Sequence, residues 1–386
     1  MKNTTLFSIA FAMMILGIQT LVAKDIYVSK QKANSSKEKL VTAYNQAKSG
    51  DVILVDIDVI FEESDNPLTI NKSNLTFKGK IKNKGKYKLE RTNNKNIHLR
   101  ITGSNITLEN LLFTNGTQQV VFGKKEEISI KNSKIINCYF KNGKYTGVDF
   151  RGNFENTEIK NTSFENCKFS LQTMDCRILK NFTVDHCIFY KGDHQISLDN
   201  PHATNLEHEN IVIKNTTFNL STRFNIALAN TQNVTISNCN FAGGTGPYSQ
   251  ALHFEDRTKN VWVIHNKIKC LADVAILLYA TDKIGHGTGR RLTEAEKIES
   301  GSGNITLDNN TITSGNVDAA ISVGYGKGYF KIFGNNTILS KNKGINTFNS
   351  KNMHFEIDDK TSIKGKKYSE IKQMETKEKE NYIRIK

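Results

Sequence analysis

A nine-residue pattern recurs down the chain: Asn first, an apolar residue fourth, Asn or His sixth, and Phe or Ile ninth. It reads NITLENLLF from Asn105, NSKIINCYF from Asn132, NTSFENCKF from Asn161, NFTVDHCIF from Asn181 and NIVIKNTTF from Asn210. It continues as NVTISNCNF from Asn233, NVWVIHNKI from Asn260 and NITLDNNTI from Asn304, with a degenerate FKIFGNNTI from Phe330. Successive starts lie 27, 29, 20, 29, 23, 27, 44 and 26 residues apart. That period is too long for a hairpin meander and suits one turn of a solenoid. Alternation within the pattern, abundant β-branched residues and only 3 prolines favour strands over helical repeats. The expected fold is all-β, a single-stranded right-handed parallel β-helix whose coils stack at about 4.8 Å.

Stacking turns each position of the pattern into a column. The ninth carries Phe113, Phe140, Phe169, Phe189, Phe218, Phe241, Ile268, Ile312 and Ile338, an apolar row that only burial explains. The sixth carries Asn110, Asn137, Asn166, His186, Asn215, Asn238, His265, Asn309 and Asn335. Amides at a sharp turn can bond backbone and one another there, so His186 and His265 read as structural. The seventh holds Cys138, Cys167, Cys187 and Cys239, with Cys176 and Cys270 elsewhere. A stacked column makes poor disulfide geometry, and free buried thiols are expected.

Three segments follow from the pattern. Residues 1–23 read as a secretory signal, with Lys2, an apolar run over residues 6–18 and a small residue at Ala23. That run is short for a membrane span and nothing comparable follows, so no integral membrane segment is expected in the mature chain, which would be secreted or periplasmic. Residues 24–363 form the β-helix, with SKEKLVTAYNQAK (36–48) as a helical cap over its N-terminal end. Residues 364–386 are a charged C-terminal cap or tail. The net charge of +15 falls by one with the signal, and an excess of this kind suits an anionic polysaccharide. No nucleic-acid partner is expected, and the chain reads as a monomer.

Upstream of several repeats lies another strand, seen in GVDFR, TMDCR, ISLDN, NIALA, ALHFED, AILLYA and AISVG. Period-two alternation sends Phe150, Cys176, Leu198, Leu228, Phe254, Leu278 and Val323 inward. It leaves two outward rows: Asp149, Asp175, Ser197, Ala227, His253, Leu277, Ser322 and, beside it, Arg151, Arg177, Asp199, Ala229, Glu255, Tyr279, Gly324. Small residues between charged ones leave a floor on which a sugar chain could lie. The longest repeat carries an insertion after Tyr279, in which Gly285, Gly287 and Gly289 precede a T-x-x-E capping box, Thr293 to Glu296. It would overhang that face as a lid bringing His286, Arg290 and Arg291.

AKSGDVILV after the first helix, NLLFTNG (110–116) and VDHCIF (184–189) resemble the pectate-lyase-like superfamily, nearest in style to lyases grouped with chondroitinase B and alginate lyases. GHG at 285–287 is similar to polygalacturonases. Where lyases resembling chondroitinase B carry a Lys and, one coil later, an Arg, this chain has Asp256-Arg257 and Leu278-Tyr279. The resemblance implies a polysaccharide lyase. A cation, Arg177 or Arg257, would neutralise a uronate carboxylate, His253 would take the C5 proton and Tyr279 would assist the leaving oxygen. Arg151 and Arg177 would bind substrate, and Asp149 with Asp175 could hold Ca²⁺. Two alternatives stand beside it. An inverting glycoside hydrolase would use Asp199 and Glu255, two coils and about 9.6 Å apart; a noncatalytic glycan-binding or adhesive β-helix would use the face only to bind.

Overall fold

The computed structural model describes residues 23–82, 85–124, 128–198, 207–280, 291–315, 319–350 and 352–384. Most corners of the coils are turned at asparagine. In the coil beginning at Asn105, residues Asn105, Asn110 and Asn115 all take φ between 56° and 61°. Asn is one of the few residues that enters this left-handed region without large cost, which explains its recurrence. Between the corners run short strands, here Ile106–Glu109, Leu112–Thr114 and Gln118–Phe122. Each pairs in parallel with its counterparts one coil away. Two longer strands, Thr146–Lys160 and Phe169–Asp185, run without a break around one corner and join two sides of the triangle into one sheet. The result is the expected right-handed parallel β-helix, of about 12 turns.

The ninth-position column is real and longer than the pattern indicates. Its register runs Val59, Leu89, Phe113, Phe140, Phe164, Phe189, Phe218, Phe241, Ile268, Ile312, Ile338, Ile363. From Phe113 to Phe241 the rings stack face to face, 4.7–4.9 Å apart. One member is corrected: Phe164, not Phe169, sits in the column. The repeat in that coil starts at Asn156, so Asn161 rather than Asn166 occupies the second corner. Phe169 faces outward instead, stacked on His194 at 4.6 Å.

The first corner carries a feature that the pattern did not predict. From Asn74 to Asn304, nine asparagines with φ of 54–58° are joined by eight amide hydrogen bonds, each from Nδ2 to the Oδ1 of the preceding coil, at 2.7–3.5 Å. The sixth-position His186 and His265 are exposed residues in the same left-handed conformation, as a structural role requires. Inside the second corner, Cys138 N–H donates to Thr162 Oγ1, Cys187 N–H to Thr216 Oγ1 and Cys239 N–H to Asn266 Oδ1. Thr162 therefore fills the place assigned to Cys167, which lies buried near Gln119. All six thiols are free and buried. Burial pushes Cys138, Cys167 and Cys187 up to about 12, so they are unreactive.

The helix Ser36–Gln46 opens with a capping box between Ser35 and Glu38 and buries Leu40, Ala43 and Tyr44 against the first coils. The strand Asp25–Tyr27 precedes it and pairs with Val52–Val55. At the other end, helices Tyr368–Gln373 and Thr376–Tyr382 lead to Ile383–Arg384, which pairs with Lys343–Phe348. Ile371 and Ile383 join the core, so this charged segment is folded against the last coil. No described helix is long and apolar enough to cross a membrane.

His98 lies fully buried between the rings of Phe61 and Phe113, with Nε2 on the Thr114 carbonyl at 3.0 Å. Desolvation, aided by the nearby Arg91 charge, lowers its pKa to about 3. The unfolded chain therefore binds a proton between about pH 6.5 and 3 where the folded chain does not, and stability falls as pH falls through that window. Between pH 6.5 and 5 the loss should approach about 2 kcal/mol, at about 1.4 per unit. Urea midpoints at the two pH values measure it, and His98→Gln, which still donates to Thr114 but does not titrate, should flatten the slope.

Candidate functional site

The site is built on the outer face of one sheet, whose strands include His194–Leu198, Phe224–Ala229, Gln250–Glu255, Ile276–Tyr279 and Ala319–Gly324. The predicted inward residues are all buried, so the alternation holds. The central outward row reads, coil by coil, Arg100, Val121, Asp149, Gln172, Ser197, Ala227, His253, Leu277, Ser322. Outward here does not mean solvated. Gln172, Ser197, Ala227, His253 and Ser322 are only 7–9% exposed, against 41% for Trp262 in an outward position on the next side of the triangle. This face is a recessed floor, which a merely solvating surface would not be.

Two clusters stand on it. In the first, the His253 ring stacks on Phe224 at 4.5 Å, with Nδ1 on Gln250 Oε1 at 3.1 Å and Nε2 facing Glu255 Oε2 at 3.3 Å. The Gln250 amide is oriented by its own donors, Nε2 to the Tyr248 carbonyl at 2.9 Å and to Asp273 Oδ2 at 3.5 Å. Its oxygen thus faces the ring, so His253 meets an acceptor at each nitrogen, Gln250 Oε1 at Nδ1 and Glu255 Oε2 at Nε2. Burial raises the pKa of Asp273 at the far end of this chain. Glu255 is the register partner of Tyr279 on the next coil and of Ala229 on the previous one.

The second cluster surrounds Asp149, which is fully buried. Arg151 reaches it with Nε and Nη2, both at 2.8 Å, and Gln118 Nε2 donates to it at 2.7 Å. Arg151 Nη1 lies 3.8 Å from Asp175. The register corrects the two expected rows: Asp149 pairs with Gln172, and Arg151 with Asp175. An irregularity in Phe169–Asp185 produces the shift, and a second one leaves Arg177 exposed and skipped by the pairing between Cys176 and Ile178. The place between Asp149 and Asp175, proposed for a cation, is bridged by the Arg151 guanidinium. Among the described residues no group of three or more His, Cys, Asp or Glu is arranged to hold a metal ion.

The strand register separates the clusters. Asp149 and His253 are four coils apart, about 19 Å, and the strand of Arg177 is three coils from His253, about 14 Å. Arg257 is nearer: it sits with Asp256 in the left-handed turn that follows Glu255, its Nε donating to Asn230 Oδ1 at 2.7 Å. Its backbone N–H bonds the carbonyl of Ser300, at the end of the helix Glu294–Ser300. That helix opens with the expected Thr293–Glu296 capping box. Lys297 lies 5.2 Å from the centre of the Tyr325 ring, and Tyr325 meets Tyr279 edge-on at 6.1 Å. The described end of the insertion thus lies beside this face, with Arg291 exposed just before it. Asp199, His286 and Arg290 lie outside the described residues.

Gln250, Phe224, Gln118 and Arg100 were not singled out by the sequence. The first two lie in the turn-proximal part of the strand, three residues ahead of the central row, where two consecutive inward residues interrupt simple alternation. Arg100 sits in IHLRI, a strand whose pairing with Gln118–Phe122 was not recognised.

No protein-family model matches the chain, and no curated protein matches it by sequence. Solved structures do. An alginate lyase from Paenibacillus sp. str. FPU-7 superposes with a TM-score of 0.53 at 13% identity, over 88% of this chain and 99% of the other. The A-module of the Azotobacter vinelandii mannuronan C-5 epimerase AlgE4 gives 0.56 at 9% identity, over 87% and 95%. An endo-xylogalacturonan hydrolase from Aspergillus tubingensis gives 0.53 at 9%, over 86% and 92%. At these identities the likeness is one of fold, and the shared fold is the right-handed parallel β-helix.

Proposed function

We propose that the protein is an exported polysaccharide lyase that cleaves an anionic, uronate-containing chain by β-elimination on the recessed face. The observation that carries this reading is His253, held on the recessed face with its ring oriented between Gln250 Oε1 and Glu255 Oε2. The named activities of the superposed proteins, on alginate, mannuronan and xylogalacturonan, are consistent with a polyuronate substrate. The leader-like residues 1–23 and the net positive charge agree with export and a polyanionic partner.

In the proposed step Arg257, on the coil of His253, lowers the charge of the uronate carboxylate. His253 Nε2 takes the C5 proton, and the electron pair left on C5 forms the C4=C5 bond as the C4–O bond breaks. The departing oxygen receives the Tyr279 hydroxyl proton. Glu255 stabilises the imidazolium formed on His253. Since Arg151 already bridges Asp149 and Asp175, calcium has no assigned part in the step, and activity should survive EDTA.

Products from alginate, polygalacturonate, chondroitin and neutral glycans test the proposal. The expected result is an ultraviolet-absorbing 4,5-unsaturated uronate from a polyuronate and no reaction with neutral glycans, which lack an acidified C5 proton. New reducing ends without that absorbance would establish hydrolysis instead, and binding without cleavage a glycan-binding protein.

A further inference from the structure

Arg100 stands in the central row of the recessed face, one coil after Thr69 and six coils ahead of His253 through Val121, Asp149, Gln172, Ser197 and Ala227. Six spacings correspond to about 29 Å. Its side chain is only partly exposed. Among the described residues its guanidinium makes one long hydrogen bond, Nη1 to the Gly123 carbonyl at 3.4 Å, and no ion pair. The nearest carboxylate, Asp149, is occupied by two nitrogens of Arg151 and by Gln118. Partial burial and the like charge of Arg151 push the pKa of Arg100 down, opposed only in part by the charge of Asp149. A cation placed where its charge is poorly compensated, with most of its five donors unspent, is a ready receptor for an anion.

The outward row continues in register on both sides of His253, from Arg100 on one side to Leu277 and Ser322 on the other. We infer that Arg100 is a remote contact for a carboxylate or sulfate of a long anionic glycan, and that the groove takes internal segments of the chain rather than its end. This rests on the proposed function for the identity of the polymer, but the binding role of Arg100 can be measured without cleavage.

The experiment compares Arg100→Gln and Arg100→Lys with the parent protein, after circular dichroism and thermal melts have verified folding. On sodium alginate or polygalacturonate, Arg100→Gln should raise KM roughly tenfold with kcat nearly unchanged, since a distant ion pair binds ground and transition states alike. Arg100→Lys should recover part of the loss. Disaccharide and trisaccharide fragments, too short to reach from His253 to Arg100, should be processed equally by all three. Size analysis should show early products of intermediate length. An equal effect on short and long substrates, no effect on the polymer, or release of only terminal units would overturn the inference.

The same polymers are then titrated calorimetrically into His253→Ala protein with and without Arg100→Gln. Roughly tenfold weaker binding supports the contact even if no cleavage is ever seen, an outcome that would remove the lyase reading alone. Unchanged affinity beside normal cleavage removes only the Arg100 contact. No binding of either polymer by the parent overturns both.

Discussion

His253→Ala should lower kcat on the cleaved polyuronate by roughly 10²- to 10⁴-fold, the range for loss of a positioned general base. The fold should survive, because His253 projects from the outer face and the column of apolar residues lies on the other side of the strand. Circular dichroism and the thermal midpoint check that, and single-turnover assays separate chemistry from binding. A second variant tests the geometry. Gln250→Leu removes the acceptor that orients the ring through Nδ1, so Nε2 is less well placed for the transfer. Its kcat should fall less than that of His253→Ala, and its pH–rate profile should differ from the parent's, which a purely structural role would not produce. Full activity of His253→Ala on a confirmed substrate would remove it as the base and transfer the role to Tyr279 or Glu255.

The repeat was legible because each coil needs its corners and its core in the same places. The apolar column and the corner asparagines are the physical requirements of stacking, and they appear as pattern. The slip at Asn161 has the same origin. Corner asparagines follow one another at five-residue intervals, as in Asn156, Asn161 and Asn166, all with φ of 49–58°. NTEIKNTSF from Asn156 and NTSFENCKF from Asn161 therefore both satisfy the spacing, though they differ by one side of the triangle. Only the pairing of Phe164 with Phe140 and Phe189 separates them.

The geometry of the candidate site was legible in part. The outward placement of His253, Glu255 and Tyr279 follows from alternation alone, opposite to Phe254 and Leu278. The arrangement around Asp149 does not, since the irregular pairing of Phe169–Asp185 shifts Asp175 opposite Arg151 and leaves no mark in composition or periodicity. Nor could spacing reveal that Gln250 reaches His253. Three residues separate them, and only the bend that sends two successive side chains inward brings both onto the outer face.

Phe218→Ala should cost about 3–5 kcal/mol, the range for a fully buried phenylalanine. The ring has no solvent exposure and lies nearly parallel to Phe189 at 4.9 Å and to Phe241 at 4.7 Å. Truncation removes two stacked contacts, each worth about 0.5–1.5 kcal/mol beyond area burial. It also leaves a void that a stiff stack of coils cannot close from one side. In a solenoid each coil is stabilised chiefly by its neighbours, so the loss falls on both interfaces of the coil carrying Phe218. Amide exchange should accelerate there before it does near either end. The neighbouring coil supplies an internal control. Ile188, one residue before Phe189, points the other way and is 49% exposed, so Ile188→Ala should change stability by no more than about 0.5 kcal/mol. Urea denaturation of the two variants reads the alternation directly. Comparable losses would contradict the inward column, whereas a large loss at Phe218 beside a negligible one at Ile188 follows from adjacent side chains pointing to opposite faces of a strand.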